Sequence, residues 1–529
     1  MVDSDVIITT ANGRLRGRRE GPVLTFRGIP YAQPPLGSLR FRSPLRAKSW
    51  TGVRDALEFG PAPIQELALG KSYPFGPIET TSEDCLTLNV WAPADATGLP
   101  VIVWIHGGGF RMGSSSMPAY DGRNYAATGR VVMVSINYRL GALGFLAHED
   151  LRDPDTGTFA NWAVQDQMLA LRWVQENIGV FGGDPHRVTV MGESGGAINA
   201  IMIAHSAQGR SLVHQIVAMS PPYICPPATL AIEDWRLATQ SLAGELGTTV
   251  RGLRSAPASS VHEAEWRQYV QGSLKTASGR AYRGTAVDGI VLDDWPAHYE
   301  LPPVPMIIGC TGAEGAMGYD CYHPISKEPI SRNRLADDAD AARREARALL
   351  NRLYCVDDRQ CTSDEVIDHY LACAAAEGRR TDMTAMLVEL HGDTMIRHYC
   401  VRKAEAAART GRSDIFFYHY GLPVPAPNHQ PPHAWELPVA FGNHRNPLIA
   451  PWVGAGPLHD AVAAAMIEAF STFAERGRPV ARELPDWPAF CASGANVMLL
   501  GQGGSAGSLS ELPQHQQLSA LDSLAALRP

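Results

Sequence analysis

The segment Gly192-Glu-Ser194-Gly-Gly196 has the clearest capacity for chemistry in this sequence. The β-branched run Val188-Thr-Val190 precedes it, and small and apolar residues follow it. A Gly-x-Ser-x-Gly pattern at such a junction is typical of a nucleophile elbow, a sharp turn that presents a serine between a strand and a helix. The backbone is strained there, so the positions two before and two after the serine must carry almost no side chain. The pattern therefore predicts that Ser194 is a nucleophile.

An acidic residue is needed to orient the base that activates such a serine. In folds with a nucleophile elbow, the acid follows the serine in the chain and the histidine comes last. Glu314 follows the apolar run Pro305-Met-Ile-Ile308 and precedes Gly315, which favours it as the acid. Asp320 lies close by, and on the residues alone it remains the alternative.

The base must be chosen from 17 histidines. His433 follows the apolar run 414–418 across the proline-rich stretch 423–432, which favours it, and His429 is the nearest alternative. The two histidines are four positions apart, but the prolines between them break any helix there. A pair of metal-binding histidines on one helix is therefore not expected at this point.

A run of three glycines, Gly107-Gly-Gly109, directly follows the apolar run Val101-Ile-Val-Trp-Ile105. Backbone N–H groups in such a run are not obstructed by side chains, so they can stabilise an oxyanion. The N–H of Gly195, the residue after the nucleophile, would be a further donor. A phosphate-binding loop is excluded because no Gly-Lys-Ser/Thr follows the glycines.

Buried-strand and helical patterns alternate along the chain, which predicts a doubly wound α/β sheet. Strands are predicted at 87–91, 101–105, 131–136, from 188, 215–219, 305–308, 414–418 and 497–500, and helices at about 163–178, 337–354, 362–374 and 459–476. No linker interrupts residues 1–502, so one domain is expected there. The tail 503–529 is compatible both with a short helix and with a frayed end.

Composition and charge exclude several classes of function. The net charge is −8 and no basic run is present, so a nucleic-acid partner is not expected. No apolar run approaches the roughly 20 residues that a membrane span needs, and the N-terminus does not resemble a secretory signal, so a cytoplasmic location is expected. The nine cysteines form no Cys-x-x-Cys pair, which predicts free thiols rather than a zinc site; a Cys355–Cys361 bridge is the less favoured alternative.

Longer motifs give the chain a resemblance to the type-B carboxylesterase and cholinesterase-like family of α/β hydrolases, which includes bacterial nitrobenzyl esterases. The resemblance runs from about residue 8 to about residue 502. It is carried by Phe26-Arg-Gly-Ile-Pro-Tyr-Ala-Gln-Pro-Pro35, Ser82-Glu-Asp-Cys-Leu-Thr-Leu-Asn-Val90, His106-Gly-Gly-Gly-Phe110, Asn137-Tyr-Arg-Leu-Gly-Ala-Leu-Gly-Phe145, Asp166-Gln167, Asn177-Ile178, Phe181-Gly-Gly-Asp-Pro185, Gly192-Glu-Ser-Gly-Gly196, Glu314-Gly315, His433-Ala-Trp-Glu-Leu-Pro-Val-Ala-Phe-Gly442 and Trp487-Pro488.

The resemblance implies an α/β-hydrolase fold, with a large, mostly parallel central sheet flanked by helices, helical insertions and a small N-terminal β region. It also implies a role for each matching position, and it favours Glu314 over Asp320 and His433 over His429. The implied roles are nucleophile for Ser194, acid for Glu314, base for His433, oxyanion donors for Gly108, Gly109 and Gly195, a serine near the acid for Ser220, and a buried carboxylate beside the nucleophile for Glu193.

The function implied is that of a serine carboxylesterase that cleaves small-molecule esters through an acyl-enzyme, with no metal and no organic cofactor. An acyltransferase or an amidase with the same site is the alternative, and a non-catalytic adhesion module is a more distant one because all three triad positions are filled. No membrane partner is expected. The oligomeric state is left open, with a monomer slightly favoured.

Departures from the family pattern bear on the substrate. Gly195 stands where the family usually has alanine. The cysteine that usually pairs with Cys85 is missing, which fits an intracellular enzyme. The loop 69–81 lacks the tryptophan by which cholinesterases hold a quaternary ammonium, so choline esters are not expected as preferred substrates.

The substrate pocket is predicted to be lined by Phe110, Arg111, Tyr319 and Trp435. Arg111 directly follows residues 107–110, the predicted oxyanion loop, so its charge could favour an acidic acyl group. An arginine turned to solvent or held in a local ion pair is the more favoured interpretation.

Overall fold

The computed structural model describes residues 4–67, 74–222, 229–230, 232–270, 284–294, 300–323, 325–330, 338–354 and 363–525. The chain divides into two compact units. Unit 1 comprises residues 1–218, 226–306 and 467–480, and unit 2 comprises residues 219–225, 307–466 and 481–529. The prediction of one domain over residues 1–502 stays a prediction.

Unit 1 contains a mixed sheet with the strand order β1-β2-β3-β5-β7-β6-β8-β9, and β4 pairs with β2. Strand β6 runs parallel to β7 and β8, and β4 runs parallel to β2, whereas the β1–β2, β2–β3, β3–β5 and β5–β7 pairs are antiparallel. A separate two-stranded sheet joins β10 and β11. The bounds are β1 (Ser4–Thr10), β2 (Gly13–Glu20), β3 (Val23–Pro30), β4 (Val53–Asp55), β5 (Thr87–Pro93), β6 (Leu99–Ile105), β7 (Val132–Ile136), β8 (Gly183–Glu193), β9 (Gln215–Met219), β10 (Thr229–Leu230) and β11 (Thr285–Ala286).

The parallel strands of unit 1 form its core. Val101 to Ile105 of β6 are fully buried, and Val103 lies in register with Val134 of β7 and Val190 of β8. A strand covered on both faces needs no alternation of polar and apolar residues, which explains the continuous apolar run in the sequence. The loops that follow β6 and β8 therefore begin at the ends of buried core strands.

The helices of unit 1 lie between these strands and after them. They are α1 (Arg123–Ala127), α2 (Gly141–Phe145), α3 (Trp162–Asn177), α4 (Gly195–His205), α5 (Ile232–Glu245) and α6 (Ala258–Val270).

Unit 2 contains the strand order β12-β13-β14-β15, with β13 parallel to β14 and β14 antiparallel to β15. Its strands are β12 (Met306–Thr311), β13 (Ile415–Tyr420), β14 (Val497–Leu500) and β15 (Gly507–Ser510). Its helices are α7 (Ala316–Tyr319), α8 (Ala339–Tyr354), α9 (Ser363–Ala376), α10 (Met383–Gly392), α11 (His398–Arg409), α12 (Leu437–Ala440), α13 (Ala450–Val453) and α15 (Ser519–Ala525); a π-helical turn, Asp393–Arg397, joins α10 to α11, and the residues of α14 (Pro457–Arg476) are divided between the units.

The α/β class predicted from the sequence is confirmed, and the ends of the predicted strands and helices lie within five residues of the observed ones. Gly28 to Pro30 continue strand β3. Gly28 has a φ of 68° and its N–H donates to Asn89 Oδ1 at 2.9 Å, so a bulge carries the strand past it. In the tail, Leu521 and Leu524 of α15 are buried, and Leu527 lies outside the described residues.

The described part of the chain contains no membrane-spanning helix, no metal-binding group and no disulfide. None of its helices has the length and apolar character that a membrane span requires. None of its His, Cys, Asp and Glu side chains form a group of three or more that could hold a metal ion. Its cysteines are free thiols, while Cys355 and Cys361 lie outside the described residues.

Candidate active site

Ser194 lies at the junction between β8 and α4 in unit 1. Its backbone has φ 50° and ψ −121°, a conformation that side-chain-bearing residues rarely adopt. Such strain costs of order 1–3 kcal/mol and persists only where the surrounding structure imposes it. The residue is half-buried. The strand–turn–helix context predicted for a nucleophile elbow is therefore present.

Two glycines make this turn possible. A Cβ on Gly192 would lie 2.5 Å from the carbonyl carbon of Gly196. A Cβ on Gly196 would collide with the carbonyl oxygen of Ile105 at the end of β6. Both obstacles are backbone atoms of core elements and cannot move aside. The requirement for glycine two positions before and after Ser194 thus has a steric cause.

The glycine loop after β6 has an unusual backbone. Gly108, Gly109 and Phe110 have φ values of 104°, 60° and 64°, so three successive residues are in the left-handed half of conformational space. The N–H groups of Arg111 and Met112 both donate to the carbonyl oxygen of Gly108, at 3.2 and 3.1 Å. Within the described ranges, the backbone N–H groups of Gly108 and Gly109 have no acceptor. These two donors are thus available to a ligand.

Phe110 packs against Gly195, the residue after Ser194. A Cβ on Gly195 would lie 3.2 Å from Cε1 of the Phe110 ring, tighter than an ordinary contact. The same ring makes an edge-to-face contact with Phe145, with centroids 5.2 Å apart. Phe110 is only 5% exposed; its place in the substrate pocket stays a prediction.

Glu193, directly before Ser194, is buried, with 2% exposure. A Cβ on Gly107 would collide with its carboxylate, so glycine at 107 is what allows the carboxylate to lie against the glycine loop. Burial, together with the charge of Glu193, raises the pKa of Tyr138. Tyr138 in turn donates to the carbonyl oxygen of His106 at 2.6 Å.

Glu314 and His433 are in contact in unit 2. Glu314 Oε2 lies 2.6 Å from His433 Nδ1. Glu314 Oε1 accepts from Ser220 Oγ at 2.6 Å and from the backbone N–H of Thr311 at 2.7 Å. The Glu314 side chain is 2% exposed and the His433 side chain 23% exposed. Three hydrogen bonds to one buried carboxylate fix its position.

The loops that carry this pair are joined to each other. The N–H of Ala313 donates to the carbonyl oxygen of Pro431 at 3.1 Å, which links the segment of Glu314 to that of His433. A Cβ on Gly315 would collide with the carbonyl oxygen of Val388 in α10, so glycine at 315 lets the Glu314 loop lie directly on that helix.

The alternatives left open by the residues alone lie elsewhere. Asp320 forms an ion pair with Arg380, with 3.2 Å between Oδ2 and Nη1. His429 is exposed on the proline-rich loop. Neither residue shares the hydrogen bonds of Glu314 and His433 that are described above.

The remaining predicted pocket residues have local partners. The Tyr319 hydroxyl donates to Glu345 at 3.1 Å. Trp435 is 1% exposed and makes an edge-to-face contact with Trp452, with centroids 5.8 Å apart. Arg111 Nε lies 3.2 Å from Glu265 Oε1, and both side chains are largely buried. A local ion pair, one of the two forms of the interpretation that the sequence favoured for Arg111, is therefore present.

One residue beside this site was missed from the sequence. Glu436 is fully buried, and its Oε1 lies 3.4 Å from Ser220 Oγ. A hydroxyl has one proton, so Ser220 donates to Glu314 or to Glu436, and the shorter distance favours Glu314. Its position three residues after His433, inside a motif already identified in the sequence, could have indicated that it lies near the site.

Comparison with known proteins gives concordant results. The model of the carboxylesterase family matches residues 4–519. The chain is 32% identical to a phenmedipham hydrolase of Pseudarthrobacter oxydans, over 96% of this chain and 97% of that protein. It is 32% identical to a fumonisin B1 esterase of Sphingopyxis macrogoltabida, over 97% and 89%. It is 38% identical to an acetylcholinesterase of Danio rerio over 56% of this chain and 48% of that protein.

Proposed function

Because the chain belongs to the carboxylesterase family and is a carboxylic ester hydrolase, we propose that it is a serine esterase that works through an acyl-enzyme. We propose Ser194 as nucleophile, His433 as general base and Glu314 as the acid that orients the base. The 2.6 Å contact between Glu314 Oε2 and His433 Nδ1 carries this proposal. A carboxylate at Nδ1 holds the proton there and leaves Nε2 able to accept one.

The proposed reaction has two halves. Ser194 Oγ attacks the ester carbonyl carbon while His433 Nε2 takes its proton, and the charge on Glu314 stabilises the imidazolium that forms. The alcohol then leaves with that proton, and the acyl group remains on Ser194. Water repeats the sequence: His433 takes its proton, the hydroxide attacks the acyl carbon, and Ser194 regains its proton as the acid departs. These steps require no metal and no organic cofactor.

The oxyanion of each tetrahedral intermediate is proposed to accept hydrogen bonds from the N–H groups of Gly108, Gly109 and Gly195. The left-handed backbone of the first two residues supports this role, because no side chain obstructs their peptide groups. Removal of one such donor costs about 2.7–4 kcal/mol of transition-state stabilisation in enzymes where it has been measured.

For the substrate we propose a small ester with an uncharged acyl group. Arg111 is the cation nearest to the oxyanion loop in the sequence, and the Glu265 carboxylate compensates its charge. The phenmedipham and fumonisin B1 named for two relatives are candidates to include in a screen. The cytoplasmic location, the absence of a nucleic-acid partner and the monomeric state stay predictions.

The test of this function is a panel of p-nitrophenyl esters. We expect turnover of the butyrate, and slower turnover of the succinate monoester by about tenfold, since a cost near 1.4 kcal/mol for placing an uncompensated carboxylate in the pocket gives that factor. The corresponding butyryl anilide should react far more slowly than the ester. Release of p-nitrophenol at 400 nm measures the ester rates.

The same panel distinguishes the alternatives. Faster turnover of the anilide than of the ester would indicate an amidase, and butyryl transfer to an added alcohol in preference to water would indicate an acyltransferase. A faster succinate ester would show that the Arg111 charge reaches the substrate despite Glu265. Absence of turnover with every ester would contradict the proposed function.

Replacement of Gly195 by alanine should keep most of the activity. Only the backbone N–H of this residue enters the mechanism, and a Cβ would require the Phe110 ring to shift by a few tenths of an ångström. We expect kcat/KM for the butyrate ester to fall by less than about tenfold and stability to fall by about 1 kcal/mol, as for mild overpacking. Steady-state kinetics and thermal melting measure both.

Gly196→Ala is the matched control for this substitution. It adds the same methyl group one position later, where it meets the carbonyl oxygen of Ile105 instead of a ring. This variant should fold poorly, because neither backbone can move. A large loss of turnover in well-folded Gly195→Ala would show instead that the missing methyl makes room for substrate or for movement of the backbone.

A further inference from the structure

The oxyanion loop of unit 1 needs an external support. A left-handed backbone is readily adopted by Gly108 and Gly109, but it is unfavourable for Phe110, which carries a side chain. The directions of the Gly108 and Gly109 N–H groups depend on these dihedral angles. Contacts made by the next residues along the chain must therefore hold the loop in this conformation.

One buried carboxylate from α6 makes these contacts. Glu265 is 4% exposed, and its Oε1 lies 3.2 Å from Arg111 Nε. Its Oε2 accepts from the backbone N–H of Ala142 at 2.6 Å. The adjacent Gly141 has a φ of 54°, and a Cβ there would lie 2.5 Å from the same carboxylate oxygen. Glycine at 141 thus allows the carboxylate to approach the backbone closely.

These contacts close a ring around the loop. The N–H of Gly141 donates to the carbonyl oxygen of Phe110 at 2.8 Å. The ring of contacts runs along the backbone from Phe110 to Arg111 and then from the Arg111 guanidinium to Glu265. From Glu265 it continues to Ala142, and through Gly141 it returns to Phe110. The Arg111 guanidinium also lies over the ring of Tyr269, with its central carbon 4.3 Å from the ring centroid. Tyr269 and Glu265 are both on α6, so this one helix contacts the guanidinium through two side chains.

We propose that Glu265 is a positioning residue for ester hydrolysis, which holds the oxyanion loop in its left-handed conformation through Arg111 and the backbone of Ala142. The inference rests on the proposed function, since it assigns the Gly108 and Gly109 N–H groups to the oxyanion. Glu265 acts through the loop and touches no reacting atom. Its loss should therefore weaken binding of the transition state and leave binding of the ester ground state nearly unchanged.

The decisive variant is Glu265→Gln. The amide oxygen can still accept from Ala142, but the charge that holds Arg111 is gone. We expect kcat for the butyrate ester to fall by about 10- to 100-fold, as for small misplacements of catalytic groups, with KM within about twofold. The inhibition constant of a trifluoromethyl ketone, whose adduct with serine carries an oxyanion, should rise by the same factor as kcat/KM falls.

Arg111→Met is the second variant. It keeps an apolar side chain against Tyr269 and leaves Glu265 its hydrogen bond to Ala142, so the loop loses only the guanidinium link. It should show the same separation of kcat from KM, with a smaller fall. The control is Glu245→Gln. Glu245 is on α5, and its carboxylate accepts from Arg267 and Gln268 of α6, the helix of Glu265, at 3.0 and 2.6 Å. The kinetics of this variant should match those of the wild type.

Each outcome decides the proposal. A folded Glu265→Gln enzyme with wild-type kcat and inhibitor affinity would overturn it, and so would a change confined to KM. If Glu265→Gln and Arg111→Met both fail to fold, the Arg111–Glu265 ion pair is required for folding, and the positioning role is rejected. Labelling of wild-type Ser194 by a fluorophosphonate separates the two proposals, because its absence contradicts the esterase mechanism whatever Glu265 does.

Discussion

Replacement of Ser194 by alanine is expected to lower kcat/KM for p-nitrophenyl butyrate by at least about 10⁴-fold, since loss of the nucleophile abolishes the acyl-enzyme route. The residual rate would come from the oxyanion donors and substrate binding alone. The fold should be retained, because alanine and serine have the same Cβ and so carry the same cost at a φ of 50°. Stopped assays at high enzyme concentration and circular dichroism measure the two effects.

The control for this substitution is Ser211→Ala, which removes the same hydroxyl from an exposed position of unit 1. Its rate should equal that of the wild type. A Ser194→Ala enzyme that is folded and retains more than a hundredth of the wild-type rate, after contaminating hydrolases are excluded, would mean that another group is the nucleophile.

Glu314→Gln should have the second-largest effect, a fall in kcat of about 10⁴-fold, the size found when the acid of a serine triad becomes an amide. The hydrogen bonds explain why. Ser220 and the Thr311 N–H both donate to Oε1, so a glutamine would place its carbonyl oxygen there and turn its NH₂ group toward His433 Nδ1. Nδ1 must then accept a hydrogen bond, and the proton moves to Nε2, where it prevents the imidazole from acting as a base.

Asp320→Asn is the matched control, because Asp320 was the alternative acid in the sequence. Its carboxylate is paired with Arg380, so the variant should keep wild-type kcat within about threefold, the cost of a partly exposed ion pair being below about 1 kcal/mol. The Glu314 assignment fails if Asp320→Asn is inactive while Glu314→Gln is not. Burst kinetics with the butyrate ester distinguish slow acylation from slow deacylation in both variants.

Much of the fold followed from local patterns in the sequence. Strand β6 and helix α3 were predicted almost to the residue, because each has a strong signal, an unbroken apolar run for the buried strand and apolar positions on one face for the helix. The turn at Ser194 was equally readable, because its two flanking glycines answer a steric demand within five residues of sequence.

Long-range partners could not be predicted in the same way. Glu265 and Ala142 are 123 positions apart, and α6 carries no motif that points to the oxyanion loop. The placement of Glu436 beside Ser220, 216 positions apart, was equally hidden. The pairing of Glu314 with His433 was predictable only because the resemblance to a family supplied it; the residues alone left a rival for each.

Active-site labelling tests the central claim, that Ser194 is the nucleophile of a serine esterase, most directly. Wild-type enzyme is treated with a fluorophosphonate, digested, and the modified peptide is identified by mass spectrometry. We expect one label per chain, on Ser194, with loss of esterase activity in proportion to labelling, and no label on Ser194→Ala. A fully active enzyme that takes up no label at Ser194, or one that loses activity through a label at another residue, would contradict it.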